Sequence, residues 1–394
     1  MSGEASAPGR SSSGRALGAG AATAVAPRPL YPVSRMHLAA MTDHVGIWQH
    51  ARGAEPDPKY GYCTDDVARL LVVDVMHSRQ LPAGALAIDI TRSLRFLEDA
   101  FDRAAGRFRN FRGADGEWLD HGGSEDSHAR ALAGLADVMA GMPDTIEADV
   151  ARGLFRPALP AAGSFAGIRP IARSILACDV ACEAGLAARA MPTLRSLADR
   201  LADAVAETDA QTAWPWPESV LTYENALVPQ ALIVAGLRLG RVAMVERGCA
   251  VLDWLVAVQS GEAGVFSPVG DHGWWPQSGI RSQFDQQPID AATMVSAAST
   301  AFAATGLRRY LAAAEQAYGW FLGDNDVGVE IADPANGGCG DGLGPVGVNP
   351  NQGAESTLMW LIALEKIREL RGDADGTRTA RLDGRPTEPL GIRL

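Results

Sequence analysis

Apolar residues recur at helical spacing along most of this chain, and polar, aromatic-rich stretches separate the segments in a long–short rhythm. Over 65–78 (DDVARLLVVDVMHS), Val67, Leu70, Leu71 and Val75 fall on one helical face. The same spacing predicts helices over 84–103, 125–140 and 144–157, one reaching about 187, and one opening at Met191-Pro192 and ending near 208. Helices over 223–239, 241–258, 288–305, 307–322 and 352–371 bring the set to eleven. No period-two alternation persists, which disfavours a strand-based core.

Short turns join the helices in pairs, as at Leu81-Pro82-Ala83-Gly84, Gly141-Met142-Pro143, Gly240 and Gly306. Helices joined by short turns pack antiparallel, so all long connections fall at one end of the molecule. The helix after each long connection is rich in Ala, Ser and Thr, as in DAATMVSAASTAFAAT over 290–305. Small residues permit close approach on both sides, as an inner ring needs. Their partners, such as LADRLADAVAET over 197–208, are amphipathic with one solvent face. The pattern predicts an all-α fold, an (α/α)6 toroid of antiparallel helical hairpins, as one domain over 30–372. Residues 30–50 are the candidate for its twelfth element. A solenoid of hairpins would instead repeat with a fixed period, whereas these long connections differ in length and content.

Composition narrows the functional classes. A net charge of −12 disfavours a nucleic-acid surface. No stretch approaches the roughly 20 apolar residues of a membrane span. Residues 1–29, rich in Ala, Gly, Ser and Pro, read as a disordered leader, and 373–394 as a flexible tail. The five cysteines lack metal-site spacing and fit a reducing, cytoplasmic setting. No metal or cofactor is expected.

Chemistry concentrates in the long connections, above all in Thr42–Arg69. That window holds Asp43, His44, Trp48, Gln49 and His50, then Tyr60, Tyr62, Asp65, Asp66 and Arg69. Acids recur where the inner helices begin: Asp65 and Asp66, Glu125 and Asp126, Glu218 and Glu224, Asp285 and Asp290, and Glu355. TDDVAR and EDSHAR read as one device used twice, an acid at the helix start and Arg one turn later. Capping and the helix dipole explain single acids of this kind, at about 0.3–1 kcal/mol each. They do not explain the aromatics beside them. Six of nine tryptophans (Trp48, Trp118, Trp214, Trp216, Trp274, Trp275) lie in the long connections.

Sugar rings stack their C–H faces on Trp and Tyr, and their hydroxyls need carboxylate, amide and guanidinium partners. Glycoside hydrolysis needs two carboxyl groups, one of them a proton donor with a raised pKa. The expected function is a glycoside hydrolase acting on oligosaccharides. Its catalytic candidates are Asp65, Asp66, Asp126, Glu218 and Asp290. The adjacent Asp65-Asp66 pair suits coupled ionisation, and Glu218, after Trp-Pro-Trp-Pro, suits an acid in an apolar pocket. Trp48, Tyr62, Trp216 and Trp275 are expected to stack on sugar rings. Asp43, His44, Gln49, His50, Arg69, His128, Arg130, Tyr223 and Glu355 are expected to hold the substrate. The alternatives are a sugar epimerase or isomerase using His44, His50 or His128, and a non-catalytic glycan-binding partner of a glycosyltransferase.

Three motifs, MTDHVGIWQHA (41–51), GYCTDDVAR (61–69) and NQGAEST (351–357), carry a family resemblance. The chain resembles a bacterial family found alone or fused behind group 1 glycosyltransferase domains, over most of residues 35–372. Its members show TD-x-x-GI-x-QHA, then GY-x-TDD-x-AR, then GAEST. The resemblance implies a six-hairpin carbohydrate fold, a sugar ligand, and a glycosyltransferase of the same pathway as a partner.

Overall fold

The computed structural model describes residues 27–206, 213–261 and 264–374. Twelve α-helices occur among them: α1 (Met36–Met41), α2 (Thr64–Ser78), α3 (Ala87–Ala100), α4 (Glu125–Gly141), α5 (Ile146–Ala162) and α6 (Ile168–Ala181). The second half holds α7 (Ala187–Ala206), α8 (Leu227–Leu239), α9 (Val242–Val258), α10 (Pro288–Thr305), α11 (Arg308–Phe321) and α12 (Ala354–Ala374). Each even-numbered helix from α2 packs against the next, and α12 packs back on α2, closing a ring. The odd-numbered helices α3 to α11 lie outside, against their hairpin partners, and α1 packs on α12. The fold is therefore an all-α (α/α)6 toroid, with α1 arising from residues 30–50.

Local sequence sets the ends. Ser124 and Ser127 form a reciprocal capping box at α4, and Thr145 caps α5. Gly240 and Gly306 end α8 and α10 in left-handed conformation, where a side chain would be strained. Close approach in the inner ring depends on small residues. A Cβ on Gly134 of α4 would stand 2.9 Å from the Ala68 carbonyl oxygen of α2.

Several helix boundaries differ from the sequence expectation: α3 is shorter at both ends and α8 starts at Leu227, not at 223. Helix α5 continues through Pro157 and Pro160 to Ala162, because Ala158, Leu159 and Ala162 beyond the first proline are buried. The next break falls earlier than Met191-Pro192. A π-helical turn over Cys182–Leu186 places Gly185 at φ 82°, and α7 starts directly after it.

Six short antiparallel ribbons lie in the connections, where no strand was expected. They stitch separate connections together: Tyr62–Cys63 pairs with Phe111–Arg112, and Val220–Leu221 with Trp275–Pro276. The end of the expected leader is attached to the ring. Arg28 pairs with Asp324, and the Tyr318 hydroxyl donates to the Pro29 carbonyl at 2.9 Å. Residues 1–26 of the leader and 375–394 of the tail lie outside the described residues. All five cysteines are buried and unpaired. Among the described residues, no helix is long and apolar enough to cross a membrane.

Candidate functional site

The even-numbered helices all begin at the end that carries the long connections, and charged side chains from their first two turns meet there. Arg69, Arg130 and Arg173 each occupy the sixth position of their helix, on α2, α4 and α6. Acids answer them from the other half of the ring: Glu224 just before α8, Asp290 on α10 and Glu355 on α12. Arg69 donates to Asp66 Oδ1 at 2.8 Å and to Glu355 Oε2 at 2.5 Å, which ties α2 to α12. Arg130 donates to Glu224 Oε2 at 2.6 Å, and Arg173 donates to Glu224 Oε1. Asp65 Oδ1 lies 3.8 Å from Arg130 Nε.

A second knot holds the strand-to-helix turn ahead of α8. Arg169 of α6 donates to the Tyr223 carbonyl at 2.5 Å, to Glu218 Oε2 at 3.0 Å and to Asn225 Oδ1 at 3.0 Å. The Tyr223 hydroxyl donates to Asp126 Oδ2 at 3.0 Å. These bonds fix Glu224 in a left-handed backbone conformation, φ 49°, with its carboxylate fully buried.

Burial and charge divide the acids into two kinds. Burial raises Asp66 to about 7; Glu355 and Asp65 push the same way, and Arg69 opposes them. Burial also raises Asp65, and it holds Asp290 well above the usual carboxylate range, with Glu224 adding to the effect. Asp290 Oδ2 has no hydrogen-bond partner within the protein. Burial would raise Glu224 too, but Arg130 and Arg173 outweigh it and bring it down to about 2. Carboxyls raised by burial and one lowered by two guanidinium groups thus share one network.

A cavity of about 870 Å³ opens over this network. Its wall includes Asp65, Asp66 and Arg69 of α2, Glu355 of α12, and Gln49 and His50 of the first connection. Asp271, Asp285, Gln287 and Asp341, from the connections ahead of α10 and α12, also line it, with Phe111 and Ser356. No metal-ligating cluster of His, Cys, Asp and Glu occurs among the described residues.

The structure separates the other predicted residues. Trp216 is 2% exposed and sits in the core, so it offers no face to a sugar. His128 is fully buried, with Nε2 3.0 Å from the Ala158 carbonyl and Nδ1 accepting the Phe108 N–H at 3.3 Å. It is a satisfied core histidine, not a substrate ligand. Tyr62 is likewise buried; it donates to Asp43 Oδ2 at 2.7 Å, and Trp48 stacks over it at 4.3 Å. Asp43 also accepts the Val45 and Gly46 amides, which makes it a turn former. Glu218 sits beside Arg169 with a third of its side chain exposed, not in an apolar pocket. His44 is exposed on a separate hollow beside α3, away from Asp65 and Asp66. Trp275 packs against Trp214 and Trp254, which also touch each other. Arg130 and Tyr223 act through Glu224 and Asp126. Sequence reasoning missed Arg173, Gln287 and Asp341. The sequence IRPIAR over 168–173 repeats the Ala-Arg ending of TDDVAR and EDSHAR, a signal that would have found Arg173.

No protein-family model matches the sequence, and no curated protein matches it either. Solved structures do match by shape. A cellobiose 2-epimerase from Spirochaeta thermophila superposes with TM-score 0.66 at 14% identity, covering 85% of this chain and 92% of that one. A D-mannose isomerase gives TM-score 0.66 at 11% identity, with 85% and 94% covered. An inactive variant of an α-1,6-mannanase from Salegentibacter, with two consecutive aspartates replaced by alanine and bound to α-1,6-mannotetrose, gives 0.57 at 11%, with 85% and 96% covered. At these identities the likeness establishes the (α/α)6 toroid, a fold that these carbohydrate-processing enzymes share.

Proposed function

We propose that this protein is a carbohydrate-active enzyme, a glycoside hydrolase acting on oligosaccharides, with Asp65 and Asp66 at its centre. The observation that carries the reading is the pair itself: two adjacent carboxyls on the cavity wall, Asp66 raised to about 7. A carboxyl protonated near neutrality can give its proton to a glycosidic oxygen as the bond to the anomeric carbon breaks. Asp65 is the second carboxyl, opposing the positive charge that develops on the sugar. Glu355, Arg69, Gln49 and His50 hold hydroxyls, and Asp290 is a reserve acid deeper in the ring. The mannanase that is inactive without two consecutive aspartates supports the assignment. A glycosyltransferase partner belongs to this proposal on the sequence resemblance alone, and a cytoplasmic location on the cysteine pattern alone.

The test is incubation with mannosides, glucosides and oligosaccharides, reading released reducing sugar. Hydrolysis that survives Asp66→Asn unchanged refutes the assignment. Likeness to an epimerase and an isomerase favours a second reading, for which the base must be His50, the one histidine on the cavity wall. Isomerisation of free sugars, lost in His50→Ala, would select it. Binding without turnover would select the glycan-binding alternative.

A further inference from the structure

Six carboxyl groups line the cavity, Asp65, Asp66, Asp271, Asp285, Asp341 and Glu355, against one guanidinium, Arg69. Arg69 is already committed to Asp66 and Glu355. It is 5% exposed, and its Nε is itself buried and makes no hydrogen bond within the protein. The three acids of the connections ahead of α10 and α12, Asp271, Asp285 and Asp341, form no such pair. Asp271 Oδ2 accepts from the Gln287 amide at 2.8 Å, and Asp341 Oδ1 accepts the Gly353 N–H at 2.8 Å. Neither these two nor Asp285 forms an ion pair with Lys or Arg among the described residues.

The backbone holds these like charges in place. Asp271 N–H donates to the Asp285 carbonyl at 3.1 Å, and Gln286 and Leu343 exchange hydrogen bonds of 3.1 and 2.9 Å. The connection carrying Asp271 and Asp285 is thereby tied to the one carrying Asp341. Asp285 itself is left-handed, φ 59°. The resulting wall carries six carboxyls against one guanidinium, with His50 as its one imidazole.

We infer that Asp271, Asp285 and Asp341 form a specificity wall that selects donor-rich sugars, with vicinal hydroxyls or an ammonium group, and rejects sugars carrying carboxylate or phosphate. This rests on the reading that the cavity holds a sugar, but not on hydrolysis. A carboxylate accepts two hydroxyl donors from neighbouring ring carbons, or an ammonium with charge assistance. A ligand anion has one guanidinium to meet, already engaged, and several carboxylates to face.

Ligand-observed NMR titration of the full chain at low ionic strength tests this, using the neutral, 2-amino and uronic forms of mannose and of glucose. The neutral and amino sugars should bind, and the uronates should bind roughly tenfold or more weakly. Added salt should narrow the gap. The double variant Asp271→Asn/Asp285→Asn should lose much of the discrimination while keeping its thermal melt, since Asn tolerates the left-handed position. The inference is overturned by uronates binding as well as their neutral counterparts, by no neutral or amino sugar binding in either series, or by a folded double variant with unchanged ranking. Correct ranking without any hydrolysis would sink the hydrolase proposal and leave this one standing.

Discussion

Glu224 lies fully buried between the guanidinium groups of Arg130 and Arg173, and Glu224→Gln keeps its shape while removing its charge. Its carboxyl is held from 4.5 down to about 2. At 1.36 kcal/mol per pKa unit, that depression corresponds to about 3 kcal/mol of stability. Breaking a buried pair by removing one partner costs about 3–5 kcal/mol, a consistent figure. The folded-state pKa lies below the unfolded one, so this contribution is complete above about pH 4.5 and disappears as pH falls towards 2. Urea unfolding of wild type and variant at pH 7 should show the full difference, and the gap should shrink at pH 3. A double-mutant cycle with Arg130→Met should give a coupling of about 1 kcal/mol or more. A loss below about 1 kcal/mol at pH 7, or additive single effects, would refute the idea that Glu224 anchors the arginines.

Three other outcomes follow from the geometry. Asp66→Asn should lower kcat by about a hundredfold or more, and wild-type activity should fall above about pH 7 as Asp66 loses its proton; a flat basic limb in the kcat profile would contradict the donor role. His128→Ala should cost about 1–3 kcal/mol by leaving the buried Phe108 amide unpaired, yet leave sugar affinity unchanged in a titration of the folded variant. Gly134→Ala should cost about 1–3 kcal/mol in denaturant unfolding, because its Cβ would press on the Ala68 carbonyl.

The architecture was legible because it depends on rhythm, and rhythm survives ignorance of individual contacts. The limits of α10 read from apolar spacing coincide with the helix itself, Pro288–Thr305. The break between α6 and α7 lies about a turn earlier than its sequence expectation, because Gly185 sits among the good helix formers Glu183, Ala184, Leu186 and Ala187. Proline was overweighted at 157, where tertiary burial carries the helix onward. The site was partly legible for a related reason. Acids at helix starts announce the ring mouth, but an inner helix is buried on most sides, so its pattern does not say which residue faces the centre. His128 and Arg130 are two positions apart on α4; one turns into the core and the other reaches Glu224. Trp216 misled because a loop tryptophan in a Trp-Pro-Trp-Pro run is equally at home capping the core. Asp341 was obscured by the glycine-rich run around it, whose ribbon folds back only in three dimensions.

The Arg69–Glu355 bond spans 286 residues, and it joins the first inner helix to the last. A chain emerging from the ribosome therefore makes five inner helices before the element that closes the circle exists. Until residue 355 has been made and α12 has docked, α2 and α10 each lack the neighbour that covers one side, and Asp66 shares Arg69 with no second acid. The cavity comes into being with the final hairpin partner, not by gradual accretion, so premature release would yield an open horseshoe with two adhesive edges.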